Sequence, residues 1–299
     1  MRFIVPFIVI FLIAFALGVL SSKYNTFPVN QMKQVVHYFR MKTREKKMGR
    51  TKEDAISFNK IEKENLRVFF TFGQSNAANW GQTRHQCKHP VYNFFEGAIY
   101  RARDPLLGAG GEGGSPWTRL GDMLIERNMA DNVLIVPIAV GSTTVAQWAK
   151  GGRYHRKIIQ TLDQLEEQQI PVDYFLWHQG ESDNLQNTST RDYVNSFETI
   201  LETIRSKGFQ SPVLLARASY HANVNAMLNK EKGIDPAIRN AQQEIIRNHP
   251  NVYPGPDTDL LTKAYHRYDG AHFSAHGLKE HAELWLKAIQ NMNNSKSIP

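Results

Sequence analysis

A serine and a closely spaced Asp–His pair give this sequence the residue types that acyl transfer requires. The serine, Ser75, lies in the sequence Gly-Gln-Ser-Asn at 73–76, directly after an apolar run. A neutral serine hydroxyl is a poor nucleophile and needs a neighbouring base to take its proton. His272 can be that base, and Asp269, three residues before it, can hold the imidazole in the required tautomer.

Attack on an ester carbonyl creates an oxyanion, which needs fixed hydrogen-bond donors aimed at it. The backbone N–H of Ser75, at the start of a helix, is one candidate donor. The N–H of Gly141 is a second, because glycine allows close backbone approach. The side-chain amide of Gln179, in the sequence WHQGESD, is a third. Each cluster is a weak signal alone, but together they supply every part that acyl transfer needs.

Two other histidines compete with His272 for the role of base. His276 falls inside the final predicted helix if Ser274 is the N-cap of that helix. His178 precedes Gln179, and adjacent residues of a strand point to opposite faces of a sheet. His178 and Gln179 are therefore not expected to face the same site.

Several candidates also have a simpler structural interpretation. Ser75 has the alternative of an ordinary turn residue, because Gly, Ser and Asn all favour turns. Gln179 can instead be a core amide bonded to backbone. Glu181 can instead replace Asp269 as the partner of the base. Trp148 can line a sugar pocket or pack in the core. The carboxylates of the sequence GPDTDLL, at 255–261, are expected to order a loop; they are Asp257 and Asp259.

The positions of these residues follow from an alternation of strands and helices. Apolar runs rich in β-forming residues predict strands at 66–73, 131–140, 172–180 and 211–219. Helix-like segments are predicted at 115–129, 154–169, 190–208, 235–249 and 274–292. This alternation predicts an α/β protein, a three-layer α/β/α, flavodoxin-like fold with a central parallel sheet. In such folds functional groups lie at the carboxyl ends of the strands, which is where these clusters fall.

The motifs, in this order, also resemble a known superfamily. The sequence GQSN, a Gly-Ser turn, WHQGESD and DGAHF are similar to the SGNH/GDSL hydrolases, and more narrowly to the sialate O-acetylesterase-like carbohydrate esterases. The resemblance covers about 66–292. It implies Ser75 as nucleophile, His272 as base and Asp269 as the partner of the base.

The resemblance also implies an oxyanion hole that includes Gly141 and Gln179. Many members of the superfamily have Asn where this sequence has Gln179, and the Gln form resembles the acetylesterase branch. Glu181 is expected to brace Gln179 or its loop. Further supporting or substrate-binding residues are expected at Asn76, Thr143 and Trp148.

The implied reaction is removal of acetyl or other short acyl groups from sugar hydroxyls through an acyl-enzyme, without a cofactor. No His/Cys/Asp cluster has metal-ligand spacing in the sequence, so no metal is expected. The single cysteine, Cys87, lies in a loop-like stretch that does not suggest a nucleophile. Two alternatives stay open: a sugar O-acyltransferase with the same site, and a non-catalytic carbohydrate-binding envelope protein.

The amino-terminal part predicts a membrane-associated or exported protein. Residues 3–20 are uncharged and apolar, and at 1.5 Å per residue a helix of this length reaches about 27 Å, close to a bilayer core. We expect a signal-anchor or signal peptide at 1–22, a basic helical stalk at 23–64, the esterase domain at 65–293 and a tail at 294–299. The catalytic domain is expected outside the cytoplasm.

The net charge of +8 is concentrated in the stalk. Between Lys33 and Lys52 the chain has eight Lys or Arg residues and one acid, which gives this stretch +7. The rest of the chain is nearly neutral, and no nucleic-acid-binding motif accompanies the basic stretch. We therefore expect no nucleic-acid partner. The basic stretch has two open interpretations, a contact with anionic lipid headgroups and a solvated linker helix.

Overall fold

The computed structural model describes residues 54–222 and 233–296. The strands are β1 Leu66–Gly73, β2 Val91–Phe95, β3 Ala98–Arg101, β4 Asn132–Pro137, β5 Tyr174–His178, β6 Val213–Arg217 and β7 Val252–Asp257. The helices are α1 Pro116–Glu126, α2 His155–Glu167, α3 Glu181–Leu185, α4 Thr190–Ser206, α5 Pro236–Asn248 and α6 Ala275–Lys296. Short 3₁₀ turns lie at Phe58–Lys60, Ser75–Ala77, Val145–Gln147 and Thr258–Leu260.

The strands form one seven-stranded sheet in the order β3-β2-β4-β1-β5-β6-β7. Only β3 runs antiparallel to its neighbour, and the other pairings of this sheet are parallel. The prediction of a central parallel sheet is therefore confirmed. After β1 the chain forms β2, β3 and β4 on one side of β1, and then β5, β6 and β7 on the other side. This reversal of strand order opens a crevice beside the carboxyl end of β1, where α/β folds bind ligands.

Helices cover both faces of the sheet, which makes three layers. Alternate residues of β1 point to opposite faces: Phe70 and Phe72 pack with side chains of α2, α4 and α5, whereas Phe69 packs with those of α1 and α6. Burial on both faces explains why the strand sequences are continuously apolar. Each such buried phenylalanine contributes roughly 1.5–3 kcal/mol of transfer free energy, so the strand is firmly held.

The sequence patterns missed the strands at the edges of the sheet. β2 and β3 form a hairpin whose turn, Glu96-Gly97, has positive φ angles of 47° and 77°. That backbone suits a two-residue hairpin turn, but Glu at its first position gives a weak sequence signal. β7 contains Pro254 and Pro256, which count against a strand; an edge strand tolerates them because one side needs no ladder hydrogen bonds.

The sheet domain extends beyond the predicted bounds of 65–293 at both ends. Ile56 donates a backbone hydrogen bond to Ile99, and the side chain of Ile61 is buried in the core. The segment from 55 to 64, assigned to the stalk by the sequence, therefore belongs to the sheet domain. α6 continues to Lys296, past the predicted end of the domain at 293.

The predicted apolar helix at 1–22 and most of the predicted stalk lie outside the described residues. Within the ranges that the structure does describe, no helix is long and apolar enough to cross a bilayer.

Candidate active site

The turn after β1 and the turn after β5 are joined directly. Gly73 ends β1 with a φ of +125°, and a Cβ atom there would lie 2.1 Å from the carbonyl oxygen of His178. Only glycine fits this close approach. The next residue, Gln74, donates its backbone N–H to the same carbonyl at 3.0 Å. The Gly-Gln-Ser-Asn and WHQGESD clusters are therefore neighbours at the switch point of the sheet.

The side chain of Gln74 is buried beneath this junction and organises the start of α3. Its Oε1 accepts hydrogen bonds from the backbone N–H of Ser182 at 3.0 Å and of Gly180 at 3.3 Å. Gly180 has a φ of +150°, and a Cβ atom there would lie 1.8 Å from the carbonyl oxygen of Ala218. The two turns thus have a fixed geometry that the glycines make possible.

Asn76 links three of the predicted clusters. Its Nδ2 donates to Oε1 of Glu181 at 2.8 Å and to the carbonyl oxygen of Ala271 at 3.2 Å. Ala271 directly precedes His272, so the residue after Ser75 is bonded to the residue before the predicted base. Glu181 is 2% exposed, and it braces the Ser75 turn through Asn76 rather than replacing Asp269 as the partner of His272.

Asp269 and His272 form the predicted pair. The Nδ1 of His272 lies 2.7 Å from Oδ2 of Asp269, and Oδ1 accepts the backbone N–H groups of His272 and Ala271. Burial raises the pKa of Asp269, but these hydrogen bonds and the nearby imidazole outweigh it, so the net pKa is lowered. The carboxylate therefore stays ionised and fixes the tautomer of His272, and Nε2 has no hydrogen-bond partner among the residues that the structure describes.

Ser75 begins the 3₁₀ turn at 75–77 and is buried. Among the described residues, neither the backbone N–H of Ser75 nor that of Gly141 donates to a protein acceptor. Trp80 connects Gly141 to the base: its ring stacks on His272 at a centroid distance of 5.3 Å, and a Cβ atom on Gly141 would lie 3.0 Å from its Nε1. Each of these two N–H groups therefore lies close to the His272 segment: Ser75 is next to Asn76, which bonds to Ala271, and Gly141 contacts Trp80, which stacks on His272.

Gln179 forms its side-chain hydrogen bonds within the protein. Its side chain is fully buried, and Nε2 donates to the carbonyl oxygen of Thr143 at 3.0 Å, to Gln74 and to Oδ2 of Asp183. These acceptors take up the amide hydrogens. These bonds favour the alternative of a core amide, and the role of Gln179 as an oxyanion donor stays a prediction.

Asp183 is a site residue that sequence reasoning missed. Its Oδ2 accepts the side-chain amide of Gln179 and the backbone N–H of Val145, which ties the turn after β5 to the turn after β4. Burial raises its pKa to about 6, although the hydrogen bonds act in the opposite direction. The available signal was its place in the sequence WHQGESD, which already contained the candidates Gln179 and Glu181.

Trp148 is packed in the core rather than exposed to substrate. The indole is fully buried, lies edge-on to Trp177, and donates from Nε1 to Oγ1 of Thr143 at 2.9 Å. Thr143 in turn donates to the carbonyl oxygen of Val140 at 2.9 Å. A direct contact between Trp148 and a sugar is therefore ruled out by its position, and both residues shape the turn that carries Gly141.

The rival bases lie away from this cluster. His178 is fully buried, and its Nε2 bonds to Oγ1 of Thr258 at 2.9 Å. His276 lies in α6, whose first turn is capped by Ser274, and it bonds to Glu280. Both carboxylates of the 255–261 segment pair with Arg239, as expected for loop-ordering residues; they are Asp257 and Asp259.

Two groups of side chains in the described residues come close enough to suggest a metal site, contrary to the expectation from spacing. One group is His85, Cys87 and Asp122, and the other is His266, His276 and Glu280. In the first, the Asp122 carboxylate is already bonded to His85 and to backbone N–H groups, and burial raises the pKa of Cys87 so that it stays a thiol. In the second, Nδ1 of His266 accepts a backbone N–H, which places the ring proton on Nε2. Neither donor set suits a metal.

Residues 65–291 match the family described as carbohydrate esterase, sialic acid-specific acetylesterase. The match covers most of the chain, and the chain belongs to this family of ester hydrolases. A probable carbohydrate esterase of Arabidopsis thaliana, At4g34215, is 25% identical over 71 residues. That alignment spans 24% of this chain and 27% of the curated relative.

Solved structures share the fold. The crystal structure of the same Arabidopsis thaliana protein has a TM-score of 0.61 at 19% identity, covering 77% of this chain and 98% of that chain. A lipase/acylhydrolase from Enterococcus faecalis has a TM-score of 0.50 at 17% identity, covering 76% and 96%. A family 3 carbohydrate esterase from Clostridium thermocellum also scores 0.50, at 13% identity, covering 78% and 99%. At these identities the likeness concerns the fold alone.

Proposed function

We propose that this protein removes O-acetyl or similar short acyl groups from carbohydrates through an acyl-enzyme on Ser75. The observation that carries the proposal is the bond from Asn76 to the carbonyl of Ala271. It connects the residue after the nucleophile to the residue before the base. The ionised Asp269, the free Nε2 of His272 and membership of the carbohydrate esterase family support the same assignment.

In the proposed reaction, Ser75 Oγ attacks the acyl carbonyl carbon while Nε2 of His272 takes the hydroxyl proton. The backbone N–H groups of Ser75 and Gly141 stabilise the oxyanion. His272 then donates the proton to the departing sugar oxygen, which leaves the acyl group on Ser75. A water molecule, activated by the same imidazole, attacks the acyl-enzyme and releases the carboxylic acid and free Ser75. Asp269 stabilises the imidazolium at each transfer, and no cofactor is required.

The test measures acetate release from an O-acetylated methyl glucoside by the full chain and by single variants. Ser75→Ala and His272→Ala are expected to lower kcat/KM by about 10³-fold or more, as loss of a triad member does. His276→Ala is the matched control, because this second histidine, four residues after His272, bonds to Glu280 instead and its loss is expected to keep activity. Equal rates for the parent and Ser75→Ala would refute the assignment of the nucleophile. Adding a free sugar as acceptor distinguishes hydrolysis from acyl transfer.

We also propose that the apolar segment at 3–20 anchors the protein in a membrane with the catalytic domain outside the cytoplasm. The length and apolarity of the segment support the anchor, and the positive charges of Arg2 and the amino terminus support the orientation. The basic residues that follow the segment, Lys23, Lys33 and Arg40, favour the opposite orientation under the positive-inside rule. Reporter fusions after Ser22 and after Pro299 test the orientation. Reporter activity on the cytoplasmic side alone would contradict this placement.

A further inference from the structure

Trp80 differs from the other tryptophans of the chain. The sequence has five, and four are at most 1% exposed, whereas Trp80 is 42% exposed. An indole has a large apolar face and a polar N–H group, so an exposed one offers both kinds of contact to a ligand. Its position beside His272 and Gly141 places it at the rim of the candidate active site.

The backbone that carries Trp80 is fixed by the glycine-rich segment at 108–114. Asn79 and Gly81 exchange backbone hydrogen bonds with Gly110, Gly113 and Gly114 at 2.7–2.9 Å. The glycine-rich segment is therefore paired with the chain on either side of Trp80. The orientation of the indole is therefore set before any ligand binds.

The glycines also make room for the indole itself. A Cβ atom on Gly111 would lie 2.8 Å from Cδ1 of Trp80, and one on Gly141 would lie 3.0 Å from Nε1. Tyr268, which is 46% exposed, donates its hydroxyl to the carbonyl oxygen of Trp80 at 3.3 Å. The ring is thus held by contacts with Gly111, Gly141 and His272 and still presents a large surface to solvent.

The chemistry of this surface suits a sugar ring. The C–H faces of a pyranose pack on flat aromatic rings, while its hydroxyls remain hydrated or find polar partners such as indole N–H and phenol O–H. Among the large apolar residues exposed in the described part of the chain, Leu260 is the single aliphatic one. A groove for a long acyl chain would instead need several exposed aliphatic side chains.

We propose that Trp80, flanked by Tyr268, is a stacking subsite for the pyranose ring that carries the ester. A ring seated on the indole would hold its acyl group next to the N–H of Gly141 and the imidazole of His272. This inference rests on the proposed esterase function for its place in catalysis, but the binding of a sugar to Trp80 can be measured without turnover.

The first experiment measures iodide quenching of tryptophan fluorescence in the full-length Ser75→Ala variant. Because the other indoles are buried, the quenchable component belongs to Trp80, and adding Trp80→Leu is expected to abolish it. An O-acetylated methyl glucoside is expected to lower the quenching constant of Trp80 at least twofold. Ethyl acetate, which has the same acyl group and no ring, is expected to leave it unaltered. Equal quenching with and without the sugar ester would overturn the inference.

The second experiment compares kcat/KM for the same two esters in the full chain. Trp80→Leu is expected to shift the ratio of sugar ester to ethyl acetate by about tenfold, mainly through KM, because apolar stacking area is lost. Trp80→Phe should recover most of the ratio, and Tyr265→Leu, an exposed aromatic that packs on His266 instead, should not change it.

The outcomes separate the inference from the proposed function. An equal loss on both esters would mean that Trp80 only positions His272, which overturns the subsite. If the parent hydrolyses neither ester, the proposed function fails, yet protection of Trp80 by the sugar ester would still support the subsite.

Discussion

The polar residues at the carboxyl edge of the sheet lie in two layers with opposite properties. We call them the buried layer, which consists of Gln74, Gln179, Glu181 and Asp183, and the exposed layer, which consists of Trp80, Tyr268, Asp269 and His272. Each residue of the buried layer forms a hydrogen bond with a residue of the turn after β1 or of the turn after β5. The exposed layer has solvent-accessible side chains that a substrate could reach.

The difference appears most clearly in the two carboxylates. Burial raises the pKa of Asp183 to about 6, so its charged form is disfavoured in the folded protein. For Asp269, burial acts the same way but the hydrogen bonds from the His272 segment dominate and lower the pKa. We therefore expect substitutions in the buried layer to change stability and substitutions in the exposed layer to change catalysis.

The largest expected effect is on catalysis, from Asp269→Asn in the exposed layer. The amide cannot stabilise the imidazolium of His272 and favours the wrong tautomer, so kcat is expected to fall by about 10³-fold. The midpoint of thermal unfolding should change little, because the Asp269 side chain is 38% exposed. Steady-state kinetics and a melting curve on the same preparation test this. A large loss of stability with unchanged kcat would break the distinction between the layers.

The next effect is on the pH dependence of stability, from Asp183→Asn in the buried layer. An unfolded Asp titrates near 3.9, so a folded pKa of about 6 means that the native state binds more protons between these values. The stability contributed by the protonated form is complete below about pH 4 and is lost as the pH rises through about 6. Asn does not titrate, so the unfolding free energy of Asp183→Asn relative to the parent should rise by roughly 2 kcal/mol between pH 4 and pH 7.

Urea unfolding of parent and variant at both pH values measures this change. Asp269→Asn serves as the contrasting variant, because the lowered pKa of Asp269 makes its contribution to stability depend on pH in the opposite direction. The contribution of Asp269 is present at neutral pH and is lost as the pH falls below 4, through its folded pKa. A free energy difference between parent and Asp183→Asn that is constant from pH 4 to pH 7 would contradict the raised pKa of Asp183.

The smallest effect is expected from Gln179→Ala, which tests the structural role of the buried layer most directly. Removal of the amide leaves the carboxylate of Asp183 and the carbonyl of Thr143 short of a donor, which should cost about 1–3 kcal/mol of unfolding free energy. Activity per folded molecule is expected to fall less than tenfold. If instead kcat falls by about 10²-fold or more at unchanged stability, Gln179 donates to the oxyanion after all and belongs with the exposed layer.

Much of the fold could be read from the sequence because its signals are local. β1 occupies the predicted residues 66–73, and the predicted helices at 154–169 and 190–208 differ from α2 and α4 by a few residues at their ends. Apolar runs of strand length and helical periodicity need only neighbouring residues to be recognised. The sequence did not predict β2, β3 and β7, because these segments are strands through hydrogen bonds with neighbouring strands and not through a composition typical of strands.

The sequence by itself determined the class of fold, the order of the site motifs and the Asp269–His272 pair, whose three-residue spacing lets both side chains meet within one turn of chain. Only the tertiary structure decided which polar residues are buried. Gln179 and Trp148 are indistinguishable from substrate-facing residues in the sequence, and Trp80 from an ordinary loop residue. The physical reason is that burial depends on residues distant in the chain: Asp183 and Thr143 capture the amide of Gln179, and the glycine-rich segment and His272 hold Trp80 at the surface.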